Sequence, residues 1–399
     1  MHKREVVACV LIGEPEGAPR KAIRAFGTMT EDLLALADWL AAAECTHVAM
    51  ESTGVYWKPV YNLLEDGFEL LLVNARHVKA VPGRKTDVRD CEWLADLPRH
   101  GLLRGSFVPD RPRRELRELT RYRARLVRER TAEANRRQKV LEGANVKLAA
   151  VATDIMGKSG RDMLAALVAG QTDAADLAQL ARGRRREKLP QPERALVGRV
   201  EAHQRFLVAQ QLAHVDFLDE AIARVGAEIA ERLAPVEEAI ARLDTIPGVG
   251  RTVAEALVAE IGADVARFAT AKHLASWAGM CPGNHESAGK RRSGRTRKGS
   301  PWLRTLLVQA AHAAARTKGT YLAAQYRRLA ARRGKAKAAI AVGHSILVVA
   351  YHLLTEGTTY RELGANYFDQ RDRQGVTRRL VHRLEDLGYA VKLAPAAAG

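Results

Sequence analysis

Along the first hundred residues, short apolar blocks alternate between strand-like and helix-like spacing. Residues 5–12 (EVVACVLI) are β-branched and short enough for a strand, and residues 22–26 (AIRAF) follow as its hairpin partner. Residues 31–43 place Leu and Ala at helical intervals. Residues 47–50 predict a further strand, residues 56–64 a helix and residues 69–73 (ELLLV) a fully buried strand, followed by a helix over residues 87–100. Strands alternating with helices point to an α/β unit, a mixed sheet covered by helices.

A Pro-containing break at residues 109–112 closes this unit, and residues 115–142 are charged, free of Gly and Pro, and helical in pattern. Arg117, Arg121, Arg125 and Arg128 recur at helical spacing and form one basic stripe. Such a stripe is either a solvated helix face or a phosphate-facing one. After loop-rich intervals at residues 157–160 and 182–192, a second long helix is expected over residues 193–233. Two long helices separated by a loop predict an antiparallel coiled-coil arm. From residue 243 the character changes. IPGVG at residues 246–250 sits between helical segments, a Gly- and Arg-rich loop spans residues 283–300, and a helical tail frays over residues 394–399. The expected domains are therefore residues 1–108, a helical linker over 109–235, and a mainly α unit over 236–399.

Composition adds a partner. The chain has 399 residues, 47% of them apolar, enough for two or three real cores. Lys and Arg number 64 against 46 Asp and Glu, a formal charge of +18. A folded protein this basic attracts a polyanion, and Arg suits bidentate phosphate contacts. Aromatics are only 5%, so any base-stacking surface is local. Cys9, Cys45, Cys91 and Cys281 form no CxxC pair, which argues against a disulfide framework or a cysteine-rich zinc site and fits a reducing cytoplasm. No apolar run is read as reaching the roughly 18 residues of a membrane helix. Residues 338–354 are apolar but hold His344 and His352, which predicts a buried helix.

Three constellations carry candidate chemistry. Glu51 ends a strand just before a turn at Gly54, and Asp87 and Asp90 share a face in a first helical turn, with Thr86 as a possible N-cap. Carboxylates so placed suit a Mg2+ (or Mn2+) site that binds phosphate and activates a nucleophile. They equally suit the positive end of a helix dipole. In IPGVG, Gly248 and Gly250 can expose backbone N–H groups to a phosphate, as in a helix-hairpin-helix, or simply turn one helix into the next. In CPGNHESAGKRRSGRTRKGSPWLR (residues 281–304), Lys290, Arg291, Arg292, Arg295, Arg297, Lys298 and Arg304 surround or follow Ser287. Those cations would stabilise charge on a phosphodiester attacked by the serine. The alternative is a solvated basic loop with an incidental serine.

The stretches AMESTGVYW (49–57), GRKTDVRDCEWLADL (83–97), TIPGVG (245–250), LASWAGMCPGNHESAGKRRSGRTRKGSPWLR (274–304) and YRRLAARRGKAKAAIAVGHS (326–345) together resemble the insertion-sequence-110 (DEDD) transposases. The resemblance implies a RuvC-like N-terminal domain of the RNase H-like fold, a helical linker, and a C-terminal transposase domain. It implies Glu51, Asp87 and Asp90 as three of four metal-binding acids and Ser287 as a nucleophile forming a phosphoserine link to DNA. It further implies double-stranded DNA and a structured guide RNA as partners, and a homodimer or homotetramer in the bacterial cytoplasm, associated with the nucleoid. The family's first acid aligns immediately before Met1, so a start upstream of Met1 is expected; Ser293 and Ser300 are the fallback nucleophiles. Two other functions compete: a RuvC-like junction nuclease using metal-activated water, and a non-catalytic nucleic-acid-binding relic.

Overall fold

The structure is a computed structural model that describes residues 3–13, 20–52, 54–74, 87–103, 105–148, 155–180, 190–283, 285–296 and 298–394, with backbone alone described at 87–90, 99, 190–192, 285 and 291. The chain divides into two compact units, Met1–Asp110 and Arg111–Gly399.

In the first unit, β1 (Val6–Ile12) and β2 (Arg20–Phe26) form an antiparallel hairpin in register from Val6↔Phe26 to Ile12↔Arg20. Helix α1 (Thr30–Ala42) presents Leu33, Leu36 and Leu40 to the core at i, i+3, i+7 spacing. Strand β3 (His47–Glu51), helix α2 (Trp57–Leu64) and strand β4 (Glu69–Val73) make a parallel crossover unit, with Glu51 beside Val73 at its end. Helix α3 (Asp87–Arg99) follows, tied to β2 by a Lys21–Glu92 ion pair at 2.6 Å. Val6, Val10, Phe26, Met50, Val60, Leu64 and Leu72 join the α1 leucines in one core.

Two expectations change here. Among the described residues the strands form separate two-stranded sheets rather than one mixed sheet. Strands β1 and β3 line a common cavity of about 1530 Å³ with α1 and α3 residues. Strand β4 is not buried throughout either: Glu69 is exposed, and only Leu72 and Val73 are buried. Its start lies at the sheet margin, where Glu69 pairs with His47 at 2.9 Å.

The second unit opens with α4 (Arg111–Gly143), whose Pro112 sits in the first turn, where a missing N–H costs nothing. Three shorter helices follow: α5 (Lys158–Val168), α6 (Ala174–Gln179), capped by Asp173, and α7 (Pro190–Leu196). Then comes α8 (Ala202–Leu233). The long helix expected over 193–233 is thus interrupted. At the break, Arg199 N–H donates to Ala144 O at 3.0 Å, and a Cβ on Gly198 would stand 2.5 Å from that oxygen, so the chain needs glycine to turn against the end of α4. Helices α4 and α8 run antiparallel, as the pairs Glu115–Arg232 at 2.8 Å, Arg130–Asp219 and Glu133–His214 at 3.6 Å require.

Helix α9 (Glu237–Asp244) leads through the IPGVG turn to α10 (Arg251–Ile261) and α11 (Ala271–Trp277). The basic segment folds as a hairpin of β5 (His285–Ser287) and β6 (Lys290–Ser293), not as the featureless loop its Gly content suggests. The tail comprises α12 (Pro301–Arg316), α13 (Tyr321–Arg333), α14 (Lys335–Glu356), α15 (Tyr367–Arg371) and α16 (Arg373–Asp386). By length and composition the 22-residue α14 passes for a membrane span, against the sequence count, with mean hydropathy 1.7. It instead buries Val342, Gly343, Ile346, Leu347 and Ala350 in the main core, beside Leu303, Leu307 and Leu257.

Candidate nucleic-acid interface and acidic site

Ser287 is the last residue of β5. The hairpin closes through Ala288 (φ +50°) and Gly289 (φ +71°), so both turn residues are left-handed, as in a type I′ turn. The register pairs Ser287 with Lys290 and Glu286 with Arg291. Directly opposed residues project from the same face, so the Ser287 hydroxyl and the Lys290 ammonium share one side of the ribbon. The register shifts between His285 and Glu286, since His285 pairs with Ser293 and Glu286 with Arg291; Arg292 is the bulged residue. Ser287, Lys290, Arg292, Arg295 and Lys298 are all exposed. Arg297 lies outside the described residues, and so does the side chain of Arg291.

The base of the hairpin is fixed. Gly283 N–H donates to Arg295 O at 2.8 Å, and Arg304 on α12 donates to Thr296 Oγ1. A Cβ on Gly299 would come within 2.3 Å of Ala278 O, so this part of the loop lies flush on the end of α11. The three candidate serines separate by what their hydroxyls do. Ser293 Oγ accepts from Arg295 N–H at 3.1 Å, and Ser300 Oγ caps α12 by accepting from Leu303 N–H at 3.3 Å. Ser287 pairs with Lys290 in the ladder, but its hydroxyl has no hydrogen-bond partner among the described residues.

The basic stripe of α4 divides in two. Arg117 is 13% exposed; it donates to Ala259 O at 3.0 Å and to Glu260 O, and burial lowers its pKa to about 10. Arg121 makes a two-pronged pair with the buried Glu260 at 2.8 and 3.0 Å. These two arginines fasten α4 to the end of α10. Arg125 and Arg128 are exposed and lie over the indole of Trp302, at 5.5 and 5.0 Å from its centroid, with Arg121 at 5.7 Å. Sequence reading missed Trp302 and Glu260. The available signal for the first was a rare aromatic directly after the Ser-Pro that starts α12.

The two glycines of IPGVG also differ. Gly248 (φ +86°) is pressed on α12: a Cβ would stand 2.4 Å from both Ala310 O and Ala314 N. Its glycine requirement therefore comes from helix packing. Gly250 is exposed, with nothing within 4 Å of a Cβ, and stands at the N-cap of α10. Arg251, which follows it, pairs with Glu237 at 2.6 Å and Glu255 at 3.1 Å.

In the first unit, Glu51 is half-buried at the end of β3, where Ser52 N–H continues the ladder to Val73 O at 2.8 Å and Gly54 (φ +56°) turns the chain. Glu51 lines the cavity beside β1, as do Cys91, Leu94 and Ala95 of α3. Among the described residues Glu51 has no hydrogen-bond or ion-pair partner. Asp87 and Asp90 occupy the first turn of α3; their side chains, and Thr86, lie outside the described residues. Burial, with Cys91 of α3 as the next contributor, pushes the Cys9 thiol on β1 up to about 11. No group of three or more His, Cys, Asp or Glu able to hold a metal forms among the described residues.

Comparison with known proteins places this architecture. Residues 1–146 match the family model of IS110-type DEDD transposases, and residues 240–327 match that of the transposase IS116/IS110/IS902 family. A protein of Pseudomonas aeruginosa named "Probable family 20 transposase" is 29% identical over 321 residues, 79% of this chain and 85% of its own. The transposase for insertion sequence element IS1111A of Coxiella burnetii is 27% identical over 302 residues, 74% of each chain. The chain belongs to the IS110 family of insertion-sequence transposases.

Proposed function

We propose that the chain is the DNA transposase of a bacterial insertion sequence, cutting and rejoining double-stranded DNA through a transient bond between Ser287 and a DNA phosphate. The observation that carries this reading is the condition of Ser287. It is exposed at the turn of the β5–β6 hairpin, its hydroxyl is uncommitted among the described residues, and Lys290 stands across from it. Attack by the serine oxygen forms an O–P bond as the bond from phosphorus to a deoxyribose oxygen breaks. The serine loses a proton and the departing oxygen gains one, so charge balances. Because the phosphodiester energy is kept, a second DNA hydroxyl reverses the step and frees the serine without ATP. Lys290, Arg292 and Arg295 would hold the phosphate and stabilise its added charge.

Glu51, Asp87 and Asp90 would hold Mg2+ (or Mn2+). The donor set is all carboxylate oxygen, which suits a hard cation, and Glu51 is a half-buried acid with no protein partner among the described residues. Such an ion, when bound, polarises a phosphate oxygen. In this reading residues 1–108 are a RuvC-like acid domain of the RNase H-like fold, 109–235 a linker arm and 236–399 the serine domain. The +18 charge supports a nucleic-acid partner; in this reading DNA and a structured guide RNA fill that role, and a homodimer or homotetramer acts on them in the cytoplasm at the nucleoid.

The test mixes the protein with its flanking RNA, labelled element-junction DNA and magnesium, and resolves the products on a denaturing gel beside Ser287→Ala. A protease-sensitive shifted band absent from the variant is the expected result. Cleaved DNA without that band would instead identify a junction nuclease using water, and binding without cleavage a non-catalytic relic.

A further inference from the structure

We propose that Arg125, Arg128 and Trp302 form a phosphate clamp that extends the hairpin's basic surface onto the arm and seats the backbone of a nucleic acid. The proposal rests on the reading of the basic hairpin as a nucleic-acid interface and adds a second, separate group of contacts. Arg125 and Arg128 lie one turn apart on α4 with guanidinium carbons 5.5 and 5.0 Å from one ring centroid. Both are exposed, and neither has a carboxylate partner among the described residues. The third arginine over the ring, Arg121, is already neutralised by Glu260 at 2.8 and 3.0 Å.

The energetics leave this pair unfinished. Each exposed cation–π contact is a weak attraction. Two guanidiniums sharing one ring repel each other by about the same amount in a water-like dielectric. The ring therefore orders the two side chains without neutralising them. Packing alone would need no charge at these positions, and an apolar residue would cover an indole at lower cost. An anion between the two forks removes the repulsion and takes two-pronged hydrogen bonds from planar donors that the ring already holds in place. Trp302 stands four residues beyond Lys298, in the first turn of α12, where Ser300 caps the helix and Arg304 ties it to Thr296 of the basic segment. The clamp is thus covalently and structurally continuous with the hairpin's cations, and a phosphate chain matches a row of cations better than a single small anion does. The shared chemistry is the phosphodiester, which DNA and RNA both supply.

The test measures binding in full-length Ser287→Ala protein, so that strand chemistry plays no part, using two fluorescent probes: a random-sequence DNA duplex and an RNA stem-loop with a long single-stranded tail. Salt dependence is recorded for this background and for Arg125→Gln/Arg128→Gln, Trp302→Leu and Arg224→Gln. Losing two phosphate contacts lowers the slope of log K against log salt by about 1.8 on duplex DNA and by about 1.4 on a single strand. A fall on the duplex assigns the clamp to DNA; a fall only on the RNA probe assigns it to RNA. Arg224→Gln, on the outer face of α8, is expected to leave both slopes unchanged. Trp302→Leu is expected to weaken binding severalfold at constant slope, because the charges remain but lose their seat. Unchanged slopes on both probes for the folded double variant would overturn the clamp, and unchanged affinity for Trp302→Leu would remove the ring from it. Because the adduct gel reads Ser287 and this assay reads only binding, failure of one reading is distinguishable from failure of the other.

Discussion

Ser287 faces Lys290 across the last rung of the β5–β6 hairpin, beyond which the chain reverses through two left-handed residues. Directly opposed residues in an antiparallel ladder have Cβ atoms about 5 Å apart, so a flexible ammonium reaches a phosphate under attack by the serine. Lys290→Gln is expected to slow formation of the serine–DNA adduct at saturating DNA by about tenfold, a loss of about 1.4 kcal/mol of transition-state stabilisation. Single-turnover gels check it. An unchanged rate with weakened binding would make Lys290 a backbone contact and nothing more.

Arg121 and Glu260 form the pair on which the base of the arm turns. Glu260 is 3% exposed, and its carboxylate also lies 3.7 Å from Arg117. Arg121→Met leaves that acid buried with one weaker partner, at a cost of about 3 kcal/mol. Thermal unfolding should fall by roughly 5 °C, and pairing the change with Glu260→Leu should recover most of the loss. A single variant that melts like the parent would show that the pair is not coupled to stability.

What the sequence makes legible is local. The spacing Arg117, Arg121, Arg125, Arg128 identifies one helix face without structural help. What divides that face is distant: Glu260 lies 139 residues from Arg121, and only the tertiary fold brings it to two of the four arginines. Similarly, IPGVG announces a turn, while the close packing that singles out Gly248 from Gly250 depends on Ala310 and Ala314 of α12. The break after Leu196 was hidden because its cause, Ala144, stands just past the end of α4, far from Gly198 in sequence. The hairpin at Ser287 escaped because its turn is Ala-Gly, without the Asn-Gly or Asp-Gly that marks such a reversal. Among the acids, Glu51 at a strand end was readable from apolar periodicity. The separation of β1–β2 from β3–β4 was not, since strand order is not encoded in alternation.

Gly248 and Gly250 offer a direct comparison within one motif. Gly248→Ala places a methyl group 2.4 Å from Ala310 O at a φ of +86°, and should cost about 3 kcal/mol or more through strain and displacement of α12. Gly250→Ala meets open space at φ −85° and should change stability by only about 0.5 kcal/mol. Chemical denaturation of the two variants checks the contrast. Equal destabilisation would mean that the turn's glycines serve the backbone path alone, without close packing on α12.

His344 gives the main core a predictable response to acid. It sits on α14, and burial alone lowers its pKa below the ordinary 6.5. The unfolded chain therefore binds this proton more readily than the folded one, so unfolding takes up a proton in the window between the folded pKa and about 6.5. The contribution to stability is complete above about pH 6.5 and declines as pH falls through that window. Replacing the imidazole by a side chain that does not titrate should remove this part of the slope. The expected outcome is that the melting temperature drops less between about pH 7.5 and about pH 5.5 for His344→Gln than for the parent. The difference between the two proteins is the quantity to read, because carboxylates and the other histidines contribute equally to both. An identical drop would place His344 in a setting where its charged form is as well solvated as in the unfolded chain, and the burial argument for it would fail.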